Sequence, residues 1–99
     1  MKTTYKYPLK LTDHQFIEMP ADAQILSVQF QYGILCCWAL VDTDAKLISR
    51  RIEIRGTGHP IDFEVGAIRQ FRDTYSFVGT VQQASAGGGL VWHVFASNN

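Results

Sequence analysis

The chain has 99 residues, of which 46% are hydrophobic and 18% are charged, and its formal net charge is zero. This composition excludes a disordered or collagen-like chain, and the length suits one folded domain over residues 1–99. The longest apolar run, Ile34 to Val41, has eight residues, whereas a membrane-spanning helix needs roughly 18. The balanced charge also argues against a protein that coats nucleic acid or lies on a membrane surface, so we expect neither partner.

Short segments with the residue pattern of β-strands, separated by turn residues, make up most of the chain. In chain order they cover residues 5–11, 15–19, 24–31, 34–41, 47–55, 75–82 and 90–95. Pro8 cannot donate to a sheet ladder, which places the first segment at a sheet edge. The pattern predicts an all-β or mainly-β domain, namely a compact sandwich or barrel of about seven short antiparallel strands.

Two of these segments form a predicted hairpin. Residues 24–31 alternate, with Leu26, Val28 and Phe30 expected on the buried face. The Tyr32-Gly33 pair that follows predicts a tight turn, because glycine readily adopts a positive φ. Residues 34–41 are apolar on both faces, which predicts a central strand.

Residues 47–55 alternate between an apolar and a charged face. Arg51, Glu53 and Arg55 share the charged face, whereas Arg50 falls among the isoleucines of the other. Arg50 therefore either reaches solvent near a strand end or is a paired buried charge.

Residues 60–72 interrupt the β-pattern. Ile61, Val65 and Ile68 recur at helical spacing after Pro60, a residue that suits the first helical position. The segment predicts one short helix or an ordered loop.

Cys36 and Cys37 are adjacent, with Cα atoms about 3.8 Å apart across a trans peptide, whereas a disulfide needs roughly 4.4–6.8 Å. We expect two buried, free thiols and a reducing compartment. The first six residues contain no apolar segment, so we also expect no secretory signal.

The candidate ligand site is the turn Gly56-Thr57-Gly58-His59-Pro60 together with basic residues near it. Residues 46–72 contain six basic and three acidic residues, although the whole chain is neutral. Glycines permit close approach of a ligand to the backbone, helix N-terminal amides at Pro60 would bind an anion, and the arginine fork suits phosphate. The predicted ligand-binding residues are Arg51, Arg55, Gly56, Thr57, Gly58, His59 and His93. The alternative is structural, with the glycines forming a strand exit.

No catalytic residue, metal site or cofactor is assigned. His14, His59 and His93 lack metal-ligand spacing, and no G-x-S-x-G motif occurs. If the fold brought His59 and His93 together, they could act as an acid–base pair on a phosphodiester, which gives a small phosphodiesterase or hydrolase as an alternative.

Six strings in this order resemble a family of small bacteriophage and prophage proteins without an assigned activity. They are Y-K-Y-P-L from Tyr5, A-Q-I-L-S-V-Q from Ala23, W-A-L-V-D from Trp38, G-T-G-H-P-I from Gly56, V-G-T-V-Q from Val78 and L-V-W-H-V-F from Leu90. The resemblance spans nearly the whole chain. It implies a small phage accessory or early protein that acts in the host bacterial cytoplasm.

These observations favour a non-enzymatic binding module over an enzyme. In a phage setting it would inhibit a host defence or regulatory component, either by sequestering an anionic, nucleotide-like signal or by binding a host protein. Unpaired strand edges further predict a homo-oligomer. A virion assembly component is the remaining alternative, and mass spectrometry of purified particles would distinguish it from an early protein.

Overall fold

The computed structural model describes residues 1–66, 74–84 and 89–98. Within these ranges all regular structure is β, which confirms the all-β prediction. The strands are β1 (Lys2–Pro8), β2 (His14–Pro20), β3 (Gln24–Gln31), β4 (Ile34–Asp42), β5 (Leu47–Gly56), β6 (Glu64–Val65), β7 (Thr74–Gln83) and β8 (Leu90–Ser97). These ranges contain no helix long and apolar enough to cross a membrane.

The strands form two sheets that pack as a sandwich. The small sheet has the order β1-β4-β3 and the large sheet has the order β2-β5-β8-β7-β6. All pairings are antiparallel except that of β6 with β7. As predicted, β1 with Pro8 is an edge strand and β4 is a central strand. The main core lies between the sheets and consists of Leu9, Val28, Leu35, Cys37, Ile52, Ile54, Val81, Val94 and Ala96.

The hairpin between β3 and β4 has the predicted turn, but Leu26 of β3 lies on the exposed face and not on the buried face. Tyr32 and Gly33 have φ values of 51° and 79°. A two-residue hairpin turn of type I′ requires a positive φ at both of these positions. A β-bulge lies between Ile25 and Ser27. The extra residue, Leu26, is 48% exposed, and Ile25 packs against the core in its place.

The predicted helix is absent from residues 60–66. Pro60 to Phe63 is irregular and is followed by the two-residue strand β6. Ile61 and Val65, which carried the helical spacing, are both exposed, at 45% and 46%. No helix N-terminus is therefore present at Pro60 to bind an anion, and that part of the site prediction is wrong. Residues 67–72 of the predicted helix lie outside the described residues.

Arg50 is a buried charge on the inner face of β5, which was one of the two alternatives. The residue is 6% exposed. Its Nε donates to the Ser97 carbonyl at 2.6 Å and its Nη1 to the Ala23 carbonyl at 2.7 Å. Because Ala23 precedes β3 and Ser97 ends β8, this one guanidinium ties the two sheets together.

Cys36 and Cys37 are both buried and free, as expected. They lie on opposite faces of β4, because successive strand residues alternate. Burial raises the pKa of the Cys37 thiol to about 11, with the neighbouring Cys36 adding to the effect and Arg50 opposing it. The thiolate is the reactive form, so Cys37 is unreactive at neutral pH.

Candidate functional site

The candidate residues lie on the outer face of the large sheet, the side turned away from the small sheet. Ile52 and Ile54 point from β5 into the core, so Arg51, Glu53 and Arg55 point outward. Antiparallel pairing places Glu53 opposite Phe95 and Arg55 opposite His93 on β8. On the other side of β5, Phe16 of β2 lies opposite Arg51.

The two arginines of the predicted site are partnered by carboxylates of the same region. Arg51 Nη2 lies 3.4 Å and Arg55 Nη2 lies 3.6 Å from the same Glu53 oxygen, Oε1. Arg55 Nη2 also binds Asp62 Oδ1 at 3.2 Å, and Arg55 Nη1 donates to the Asp13 carbonyl at 2.6 Å. On this face, the charges of Arg51 and Arg55 are thus opposed by those of Glu53 and Asp62.

The Gly56–His59 segment is a β-turn, closed by a hydrogen bond from His59 N to Gly56 O at 3.1 Å. Gly58, the third residue of the turn, has a φ of 87°, which is characteristic of a type II turn and disfavours other residues. A Cβ at Gly56 would lie 3.0 Å from His59 Cε1. The glycines therefore serve the turn itself and the packing of the His59 ring, in agreement with the structural alternative.

His93 is held between two threonine hydroxyls. Its Nε2 lies 2.8 Å from Thr57 Oγ1 and its Nδ1 lies 2.9 Å from Thr80 Oγ1. Both ring nitrogens are therefore engaged, and the Thr57 contact fixes the turn against β8. The predicted residues Thr57 and His93 thus meet through a long-range contact.

An aromatic cluster covers the middle of the outer face. Phe63 lies on the segment after the turn. Its ring centroid is 4.8 Å from that of Tyr75 and 5.2 Å from that of Phe95. The Arg55 guanidinium lies 5.2 Å from the Phe63 centroid. This packing holds Phe63 over the outer face, on which Glu53 is only 4% exposed.

Shallow cavities lined by described residues border this region, and three of them bear on the candidate site. The Glu53 cavity, of about 390 Å³, is lined by Arg51, Glu53, Asp62, Phe63, Glu64 and Tyr75. A second, also about 390 Å³, is lined by Gly56, Thr57, His59, Gly89, Leu90, Val91 and Trp92. A third, of about 230 Å³, is lined by Asp13, Arg55, His59, Pro60 and Asp62.

The structure divides the predicted site residues among these features. Arg55 and His59 line the third cavity, whereas Arg51 lines the Glu53 cavity. His93 lines neither of the two cavities that contain His59. In residues 1–66, 74–84 and 89–98, no three His, Cys, Asp or Glu side chains form a group that could hold a metal ion.

The sequence interpretation missed Glu53. Its Oε2 is buried and has no hydrogen-bond partner among the described residues, and the same is true of Arg51 Nε. The spacing Arg51-x-Glu53-x-Arg55 was a visible signal that one carboxylate lies between two guanidinium groups on a strand face. The burial of Glu53 could not be read from that spacing, because it depends on how other segments pack around β5.

The fold and the site define a small β-sandwich protein with a charged and aromatic sheet face. Residues 1–99 match the family described as Domain of unknown function (DUF7352), and the chain belongs to this family. No curated protein matches the chain, and no solved structure matches it either.

Proposed function

We propose that this protein is a non-enzymatic phage accessory protein that binds and inhibits a host defence or regulatory protein in the bacterial cytoplasm. The observation that carries this proposal is the Arg51–Phe16 pair on the outer face. Phe16 is 59% exposed, and the Arg51 guanidinium lies 5.7 Å from the centroid of its ring. Arginine and aromatic side chains are the residues most enriched at the centres of protein interfaces.

The electrostatics of the outer face favour a protein partner over a nucleotide-like anion. Arg51 and Arg55 already contact Glu53, and Arg55 also contacts Asp62. A phosphate would have to displace these carboxylates, and Glu64 also lines the Glu53 cavity. Like charges around the cavity repel an anion, so sequestration of a nucleotide is the weaker of the two binding hypotheses.

The arrangement of the histidines favours binding over hydrolysis. Acid–base catalysis on one substrate needs both imidazoles within hydrogen-bond reach of the reacting atoms. His59 borders cavities that do not include His93, and both nitrogens of His93 are engaged by Thr57 and Thr80. We therefore propose no reaction for this pair.

Site-directed photo-crosslinking tests the proposal. A photoreactive phenylalanine analogue replaces Phe16 in one variant and Thr4, an exposed residue of β1 in the small sheet, in a matched control. In infected cells we expect a discrete crosslinked host protein from position 16 only. That protein, once identified and purified, should bind the wild-type protein and lose about tenfold or more in affinity for the Arg51→Ala variant.

Calorimetry against a panel of linear and cyclic nucleotides provides the second arm. The proposal predicts no binding. Saturable nucleotide binding that is lost in the Arg51→Ala, Arg55→Ala double variant would instead establish the small-ligand hypothesis. Equal crosslinking from positions 4 and 16, or an affinity unaffected by Arg51→Ala, would refute the outer face as the binding surface.

The homo-oligomer stays a prediction that sedimentation can test. β1 and β2 are edge strands of their sheets, and edge pairing between copies would satisfy their free backbone groups. A concentration-independent monomer mass would contradict it without affecting the outer-face proposal.

A further inference from the structure

Glu53, one of the residues that line the Glu53 cavity, has an unfilled hydrogen-bonding requirement. Glu53 is almost completely buried, and both arginine contacts reach only one of its oxygens, Oε1. The other oxygen, Oε2, is buried without a donor. Arg51 contacts Glu53 through Nη2 alone, and its Nε has no hydrogen-bond partner. The ion pair between Arg51 and Glu53 is therefore not bidentate. A buried carboxylate oxygen without a donor is destabilising, and a ligand that brings a donor would relieve this cost.

Among the described residues, the side chains around the cavity carry one more negative than positive charge. Its lining contains the carboxylates of Glu53, Asp62 and Glu64 and the guanidinium of Arg51. Adding Arg55, which binds both Glu53 and Asp62, leaves three negative and two positive charges. The Asp62 side chain is 77% exposed, so it lies at the rim, where an incoming charge would first meet it. One cationic group would bring this set of side chains to neutrality.

The shape of the site favours a planar organic cation over a metal ion. The part of the chain that the structure describes has no three ligating side chains close enough together for a metal. A guanidinium spreads its five donors over a flat fork, which suits separated carboxylate oxygens, and it packs well on aromatic rings. Phe63 and Tyr75 form a wall of the cavity, and Arg55 already lies over Phe63.

We infer that the Glu53 cavity receives an arginine side chain of the protein partner, with a guanidinium N–H donating to Glu53 Oε2 and the rim carboxylate of Asp62 binding the same group. The source of this arginine rests on the proposed function, since it assumes a protein partner on the outer face. The chemistry of the cavity does not depend on that assumption. Together, Arg51 and Phe16 would bind the partner's surface, and Glu53 would select its arginine.

A titration followed by NMR tests the cavity with a defined probe, N-acetyl-L-argininamide. We expect saturable shifts of the amides of residues 51–55, 62–64 and 75, with affinity in the millimolar range because the probe is a single side chain. The neutral citrulline analogue, which has the same shape, should give no saturable shift. Glu53→Gln should weaken the probe at least about tenfold, whereas Glu18→Gln, on the exposed part of β2, should leave it unchanged.

Three results would overturn the inference. These are the absence of saturable shifts with argininamide, equal shifts with the citrulline analogue, and equal binding by wild type and Glu53→Gln. The amide spectrum of Glu53→Gln reports whether that variant is folded, and Asp62→Asn provides a second variant at an exposed position. If argininamide does not bind but position 16 still crosslinks to a host protein, only the arginine pocket is rejected. If argininamide binds but position 16 gives no crosslink, only the protein partner is rejected.

Discussion

Arg50 and Arg51 are neighbours on β5, and the two faces of the strand stabilise them in different ways. On the inner face, Arg50 is bound by the backbone carbonyls of Ala23 and Ser97. On the outer face, Arg51 contacts another side chain, Glu53, at 3.4 Å and keeps 41% of its side chain exposed. Backbone acceptors are fixed by the fold, whereas a side-chain partner can be exchanged for a ligand. The charge of Arg50 therefore belongs to the architecture, whereas that of Arg51 is available for recognition.

Removing each arginine in turn tests this difference between the two faces. Arg50→Ala should lower the free energy of unfolding by about 3–5 kcal/mol, because two buried carbonyls lose their donor and a cavity remains. Arg51→Ala should lower it less, by about 1–2 kcal/mol, because Arg51 is partly exposed and Arg55 still contacts the buried Glu53. Urea denaturation of both variants measures the difference. Equal losses of unfolding free energy in the two variants would show that Arg50 is no more important to the fold than Arg51.

The pH dependence of stability provides a second test of the inner face. Well below pH 9 the Cys37 thiol is protonated in both states. Between pH 9 and 11 the unfolded chain loses this proton while the folded protein, with its thiol pKa raised to about 11, retains it. Stability should therefore fall over this range by roughly 2–3 kcal/mol and level off above it. The comparison is with Cys37→Ala, which should lack this component; identical pH profiles would contradict it.

Gly58 tests the turn that leads from β5 over the outer face. Its φ of 87° predicts that Gly58→Ala lowers the unfolding free energy by about 1–2 kcal/mol. Gly58→Asn should cost less, because asparagine tolerates a positive φ better than alanine does. Thermal or urea unfolding measures both variants. If the two substitutions lower the unfolding free energy equally, the positive φ of Gly58 is not the cause of the loss.

The smallest expected effect on stability is that of Phe16 on the outer face. Phe16→Ala removes the ring beneath Arg51 and should cost less than about 1 kcal/mol, yet it should weaken the partner complex at least about tenfold. Leu47→Ala, at a residue that is 60% exposed on the same sheet, is the matched control and should change neither quantity. A large loss of stability in Phe16→Ala would make this residue structural.

The parts of the fold that local chemistry determines were predictable from the sequence. The Tyr32-Gly33 turn and the edge position of Pro8 follow from the conformations open to those residues. The bulge at Leu26 was not predictable, because it depends on the register of β3 against β4. The helical spacing of Ile61 and Val65 was misleading, since neither side chain is buried.

The candidate site was less predictable, because it is assembled by contacts between distant segments. The sequence singled out the Gly56–Pro60 turn and His93, and Thr57 does contact His93. It could not show that Arg51 and Arg55 both contact Glu53, or that Phe63 packs against Tyr75 and Phe95. Charge counted along the chain therefore did not show that Arg51 and Arg55 already have carboxylate partners.

The order in which the chain visits the two sheets has a consequence for genetics. β1 belongs to the small sheet, β2 to the large sheet, and β3 and β4 return to the small one before β5 to β8 complete the large one. No single cut in the chain separates the sheets, so we expect folding to be all-or-none rather than stepwise. Core mutations and truncations should then abolish recognition together with the fold, and only substitutions on the outer face, such as those at Phe16 and Glu53, will separate the two phenotypes.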